Sequence, residues 1–487
     1  MASSALPKAQ VIPLHFWDDT ATFRAVVMYF MMRFNAPLCP LKLQAALAKL
    51  LARDGWRKLG ARLRLNKAGH LEYHVLIETD DQRRVLRFHH EKYEMAIAQH
   101  PLASRLPKAS SQPEIVGRAE DFLSLMRQPH DPEKLADYLS EDEPILGLHV
   151  VSFSDATIVT LSWPHVALDG MGRKALLDAW SLVLQGREDE VSEFHGFDED
   201  PLATLGTNPT EAYVHERKAF RWWDMLVFTF RYLVDQIFWQ PKDESRVICL
   251  PKSFVQTLKA QAAADIAAEQ PSAYVSEGDV ISVWWTRRIV SCTPVRPFQT
   301  VALNVAFGLR WLLAKDLLPA AKAYVSNAVT FVPTFMPAKD VLNKSLGQVA
   351  LAVRQSLISL GTREQVEARL AIDRAAQEKT GGGALFGDPW MHMVVCTNWM
   401  KGSFYDVDLS AAVIGDSCSG DKERQQGRPS YIQLHSFARG FSLINGFSIT
   451  GKDTAGNVWL HSVLRREYWQ RIEQDLRSIR DEARRHS

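Results

Sequence analysis

Residues 156–186, ATIVTLSWPHVALDGMGRKALLDAWSLVLQG, run a strand, a sharp turn and a helix together without a break, and few architectures accept that unit. Ile158, Thr160 and Ser162 alternate with Val159, Leu161 and Trp163, the period of a half- or fully buried strand. Pro164 has no N–H for an interior ladder, so the strand is expected to end there. His165 then stands at the C-terminal lip, where mixed α/β folds commonly carry binding groups. Gly170 and Gly172 permit a left-handed or closely packed turn. The helix expected over 172–186 has Leu176, Leu177, Trp180, Val183 and Leu184 as its apolar stripe and Gly186 as its stop. A strand handed straight to a helix points to the α/β class.

The turn has a chemical reading. A neutral imidazole, with an ordinary pKa near 6.5, suits proton abstraction close to neutrality from a hydroxyl or amine roughly 3 Å away. Asp169 sits in the tight turn and can fix the backbone from which His165 projects. In a chain with 15 histidines, H-x-x-x-D-G arises by chance about 0.04 times, so the spacing carries information. A structural histidine, satisfied within its turn, fits the same residues.

Other chemistries find less support. The 57 basic and 56 acidic residues give a formal charge of +1, without the basic excess of a nucleic-acid footprint. Cys39, Cys249, Cys292, Cys396 and Cys418 are few and scattered, and form neither a disulfide framework nor a CxxC site. His89-His90 precedes Glu91 but lacks the second histidine of HExxH, so no metal is expected. GDSCSG, 415–420, has small residues but no strand–serine–helix context, and neither GxGxxG nor GxxxxGK[ST] occurs. The most apolar window, 224–239, is too short for a membrane span and is broken by Arg231 and Asp235. With no secretory pattern at the start, a cytoplasmic setting is expected.

At 487 residues the chain exceeds what one core usually serves, and two domains are expected. In the first, 20–34 is ambiguous between helix and strand, 40–56 reads as a helix, and 60–79 reads as a hairpin around Asn66–Gly69. The division falls near 240–250, after an aromatic-rich helical segment. In the second, SEGDVISVWWTRRIV is a helix capped by Ser276 or Asp279, VALNVAFGL and HMVVCTNW are strands, and the charged end is an amphipathic helix. The glycine-rich stretch 378–390 reads as a surface insertion, with a flap over a site as the alternative. Trp284, Trp285, Trp390 and Trp399 suit either an apolar channel or a core.

SWPHVALDGMG resembles the HxxxDG signature of the CoA-dependent acyltransferases of the BAHD type, closest to fungal members that acylate secondary metabolites. The likeness continues in order through LQAALAKLL with LGARL, SEGDVISVWWTRR, NVAFGLR, AYVSNAV, GQVALAVRQSL, CTNW and FYDVDLS, and so covers most of the chain. It implies an α/β fold of two chloramphenicol-acetyltransferase-like domains, each a mixed sheet with flanking helices, related by a pseudo-two-fold with a central tunnel. Residues 1–215 would be the first domain, 216–250 a crossover segment and 251–487 the second.

The resemblance implies that His165 is the general base and that Asp169 is structural, paired with Arg310, with Gly170 supporting the motif. Trp399 would offer its N–H to the oxyanion, Thr397 with Trp399 would line the acceptor channel, and Ser326 and Asn327 would lie near CoA. Acyl-CoA would be a co-substrate with no tightly bound cofactor, the acyl group acetyl, and the acceptor a small hydrophobic alcohol ahead of an amine. The chain would act as a monomer. Two departures stand out: the family's DFGWG is DLSAA here, 408–412, and Pro164 replaces the second histidine of the related condensation domains. Two rival readings share the scaffold, a reaction other than acyl transfer (cyclisation, elimination or carrier-dependent condensation) and a metabolite-binding homologue without catalysis.

Overall fold

The computed structural model describes residues 9–77, 84–140, 142–239, 243–267, 270–415, 426–438 and 445–485; Cys418 and the serines of GDSCSG lie outside them. Two mixed sheets, with a smaller three-stranded antiparallel sheet, organise the described residues. The first has five strands in the order Tyr431–Ala438, Val26–Phe34, Thr157–Pro164, Gly147–Ser152 and Arg87–Lys92, antiparallel except for the last pair. Thr157–Pro164 is central and buried at every position. Helices Pro40–Leu51 and Gly170–Leu184 share its core through Leu43, Leu47, Leu176 and Trp180, and the Trp180 indole donates to the Leu43 carbonyl at 3.1 Å.

The strand ends at Pro164, as expected, although the His165 N–H still donates to the Val26 carbonyl at 2.9 Å. The neighbour on the other side stops at Gly147, opposite Ser162, so the side on which proline lacks a donor has no strand to serve.

The second sheet has seven strands in the order Val329–Pro337, Thr300–Gly308, His392–Asn398, Gly446–Lys452, Val458–Arg465, Asp243–Leu250 and Glu114–Arg118. Helices Lys252–Ala267, Glu277–Cys292 and Leu346–Leu360 pack on it around a second core that takes in Trp284 and Trp285. Ser276 caps Glu277–Cys292 in a reciprocal box with Asp279. Residues 243–250, inside the stretch expected as a crossover, are a full strand of this sheet.

Sheet membership crosses the expected division twice. Glu114–Arg118, early in the chain, closes the edge of the second sheet, and Tyr431–Ala438, late in the chain, closes the edge of the first. The ambiguous 20–34 resolves into a short helix, Ala21–Arg24, followed by the strand Val26–Phe34. The glycine-rich stretch begins at Gly381, whose positive φ of 74° ends the helix Arg363–Thr380, and is then stitched to residues 218–220 through Leu385 and Gly387. Among the described residues, no helix is long and apolar enough to cross a membrane.

Candidate active site

His165 follows its strand directly. Its ring stacks on Phe23, with centroids 4.6 Å apart and planes at 15°, and the residue keeps partial exposure. Nδ1 is sealed from solvent and has no hydrogen-bond partner. Burial pulls the imidazole pKa below its usual value, against the opposing pull of its own carbonyl, the Asp169 carboxylate and Asn327. The ring is therefore neutral at pH 7 and able to accept a proton.

Asp169 is turned away from that ring and into a closed set of donors. Its Oδ1 accepts the Gly172 N–H at 2.7 Å and Arg310 Nη2 at 2.9 Å, while Oδ2 accepts Arg310 Nη1 at 2.9 Å and the Ala328 N–H at 3.0 Å. The first bond caps the helix Gly170–Leu184. The other three reach the second half of the chain, so one carboxylate ties the motif to the opposite domain. Burial pushes its pKa up, but Arg310 and the two backbone donors overcome that and hold it below the usual carboxylate value. Arg310 also donates to the carbonyls of Tyr324, 3.0 Å, and Ser326, 2.7 Å.

The glycines of the motif serve close approach, since neither has a positive φ. A Cβ at Gly172 would lie 1.8 Å from the Val325 carbonyl oxygen, and one at Gly170 would lie 3.3 Å from Trp399 Nε1. Trp399, at the end of the strand His392–Asn398, thus lays its indole N–H over the first turn of the motif helix. Among the described residues that N–H has no protein acceptor, and the residue is partly exposed. Thr397, two residues earlier, donates to Ser448 Oγ at 2.7 Å.

Three residues beyond the sequence reading complete the surroundings. Arg173 is 1% exposed, and its Nε and Nη2 lack partners. Its guanidinium lies over the rings of Phe30 at 4.0 Å, Phe404 at 4.1 Å and Trp399 at 4.4 Å. Four residues after Asp169, it shares that residue's helix face, and this was the one signal that it points inward. Phe23 supplies the stacking ring. Asp18 has no pattern to announce it: buried, it accepts the Asn327 N–H and side-chain amide on one oxygen, both at 2.8 Å, and the same amide donates to the His165 carbonyl at 3.0 Å.

Behind Asp18, His15 holds its Nδ1 3.7 Å from the free carboxylate oxygen, and Lys58 Nζ meets His15 Nε2 at 3.0 Å. Burial pushes Asp18 up and Lys58 down. Ser326 and Asn327 are both buried, so the turn expected near CoA commits its side-chain amide to protein and braces the histidine turn from behind. The departed DLSAA segment packs Leu409 and Ala412 into the first core, and Cys39 N–H donates to the Ala412 carbonyl at 2.7 Å. Among the described residues, no group of three or more His, Cys, Asp or Glu is placed to hold a metal ion.

A model of the Transferase family matches residues 120–411, which include His165, Asp169, Arg310 and Trp399. The chain belongs to the Transferase family, the BAHD-type CoA-dependent acyltransferases. This Transferase family member is 39% identical to Acetyltransferase sphE of Aspergillus fumigatus, over 96% of this chain and 95% of that one. It is 40% identical to a protein of Penicillium decumbens named Transcriptional regulator calD, over 97% and 96%. In structure it is similar to TRI101 of F. sporotrichioides complexed with coenzyme A and T-2, with a TM-score of 0.66 and 15% identity over 96% of this chain and 97% of that one. At that identity the likeness is one of fold, a two-domain mixed α/β architecture.

Proposed function

We propose that this Transferase family member moves an acetyl group from acetyl-CoA to a hydroxyl of a hydrophobic secondary metabolite, with His165 as general base. The observation that carries the reading is the neutral, partly exposed imidazole at the strand end, with Nδ1 sealed and Asp169 committed elsewhere. With the proton assigned to the sealed Nδ1, the Nε2 lone pair is left as acceptor. Nε2 takes the acceptor's O–H proton as that oxygen attacks the thioester carbonyl. The tetrahedral intermediate then expels CoA thiolate, which recovers the proton as CoA–SH.

In this reading Trp399, whose Nε1 would lie 3.3 Å from a Cβ at Gly170, donates its indole N–H to the oxyanion. The Arg173 guanidinium lies over the face of that indole, 4.4 Å from its centroid, and its charge draws electron density from the ring. Thr397 and Trp399 line the acceptor side, and the Ser326–Asn327 turn borders the CoA side. The chain is read as a cytoplasmic monomer without a tightly bound cofactor. The name of the Aspergillus relative, an acetyltransferase, and the coenzyme A held by the TRI101 structure support the choice of donor.

The deciding experiment measures thiol release from a panel of acyl-CoAs with hydroxylated apolar acceptors. Acceptor-dependent release is expected, fastest with acetyl-CoA; no release with any pair would favour a different reaction on this scaffold. Trp399→Phe should lower turnover by about tenfold or more, with a smaller change in KM. Unchanged turnover would reduce Trp399 to packing.

The pH profile follows from the sign of the His165 shift. Because burial disfavours the imidazolium, the base form predominates at neutrality, and kcat/KM should be flat from pH 7 upward. The acid limb should lie below 6.5, and a limb at or above 7 would contradict the assignment.

A further inference from the structure

We propose that the helix Trp222–Trp239 is a membrane-surface anchor that lies flat on an anionic lipid bilayer and turns the mouth of the neighbouring cavity toward the lipid. The helix is inverted relative to an ordinary surface helix. Its inner face holds Phe228, buried with Phe220, Ala302 and Met391, and Arg231, whose guanidinium donates to the carbonyls of Pro389 at 2.8 Å and Met391 at 2.9 Å. Trp222, Leu226, Phe230 and Leu233, spaced i, i+4, i+8 and i+11, fall on the opposite side. They are 59%, 57%, 70% and 49% exposed, and Trp223 beside them is 60% exposed. A continuous apolar ridge of this kind marks an interaction surface rather than scattered surface residues.

The ridge does not stand alone. Beside it opens a cavity of about 860 Å³ whose lining includes Phe228, Arg231 and Met391, and at which Phe298, 78% exposed, and Trp390, 62% exposed, project into solvent. The exposed charges around these aromatics are mainly positive. Arg217, Lys218 and Arg221 lead into the helix, and Arg296 and Lys339 flank Phe298, with Lys339 Nζ 4.4 Å from its ring. Glu216, Asp224, Asp340 and Asp388 are acids nearby, of which Asp224 accepts the Arg221 N–H at 2.9 Å and Asp340 pairs with Lys344 at 3.1 Å.

Tryptophan, phenylalanine and leucine on one face with cations beside them match the chemistry of a bilayer interface, where rings enter the headgroup boundary and cations meet anionic lipid. The helix can lie on a membrane but is not one that crosses it. The cavity borders Thr300 and His392, the starts of two parallel strands whose far ends lead to Arg310 and Trp399. Nine residues of strand, roughly 27 Å, separate the Thr300 end from the end that leads to Arg310. The anchor therefore stands apart from the acyl-transfer reading and is tested without it.

The test is co-sedimentation of the full chain with vesicles of phosphatidylcholine and phosphatidylserine, and with phosphatidylcholine alone. Strong binding to the mixed vesicles, weakened by salt, is expected. Leu226→Glu with Phe230→Glu should cut partitioning about tenfold or more, with unchanged melting temperature. Arg217→Glu with Arg221→Glu should remove the preference for phosphatidylserine. Absence of wild-type binding to either vesicle overturns the proposal, as does equal binding by the Leu226/Phe230 variant. A vesicle-free dimer of the wild type that this variant converts to monomer would also overturn it, assigning the ridge to a second copy of the chain.

Discussion

His165→Ala is expected to reduce acyl transfer by about 10³-fold or more while the protein folds as before. The imidazole contributes little that holds the turn together. Its Nδ1 has no partner, and the backbone at 165 is fixed by Val26 and Asn327 through groups that alanine retains. Only the stack on Phe23 is lost. Turnover and thermal melting measured on one preparation separate the two effects. A variant that keeps product formation would remove the histidine base, and one that fails to fold would make the residue a structural post.

Asp169→Ala is expected to do the reverse, collapsing soluble yield and stability together. Removing the carboxylate leaves the Arg310 guanidinium without its bidentate partner, strips the helix of its cap and frees the Ala328 N–H. Breaking a mostly buried pair of this kind costs about 3–5 kcal/mol, because the surviving charge stays desolvated. Asp169→Asn keeps some of the donors satisfied and should fall between parent and alanine in melting temperature. Should the alanine variant melt like the parent yet turn over nothing, Asp169 would be an orienting partner in the chemistry.

The region around His165 was legible in the sequence because its information is local. A two-residue alternation, a proline, two glycines and an apolar stripe dictate strand, turn and helix without reference to anything distant. The same holds for the Ser276 cap and the hairpin at Asn66–Gly69, where Gly69 adopts φ of 84°. Arg310 stands 141 residues from Asp169, and only the family resemblance joined them. Arg173 reads as an ordinary arginine on an amphipathic helix, because a guanidinium enclosed by the rings of Phe30, Trp163, Trp399 and Phe404 depends on side chains from three separate segments. Asp18 escaped for the same reason. Strand partners were the least legible, since alternation marks a strand but not its neighbour, and Tyr431–Ala438 crosses to the first sheet with the same pattern it would show in the second.

That reciprocal exchange of edge strands limits how the enzyme can be rebuilt. Joining the front of one homologue to the back of another, a natural way to seek new substrate preferences, would leave each sheet bordered by a foreign ribbon at Glu114–Arg118 and Tyr431–Ala438. A chimera made by one cut in the middle should therefore misassemble unless both ribbons travel with the sheets they border.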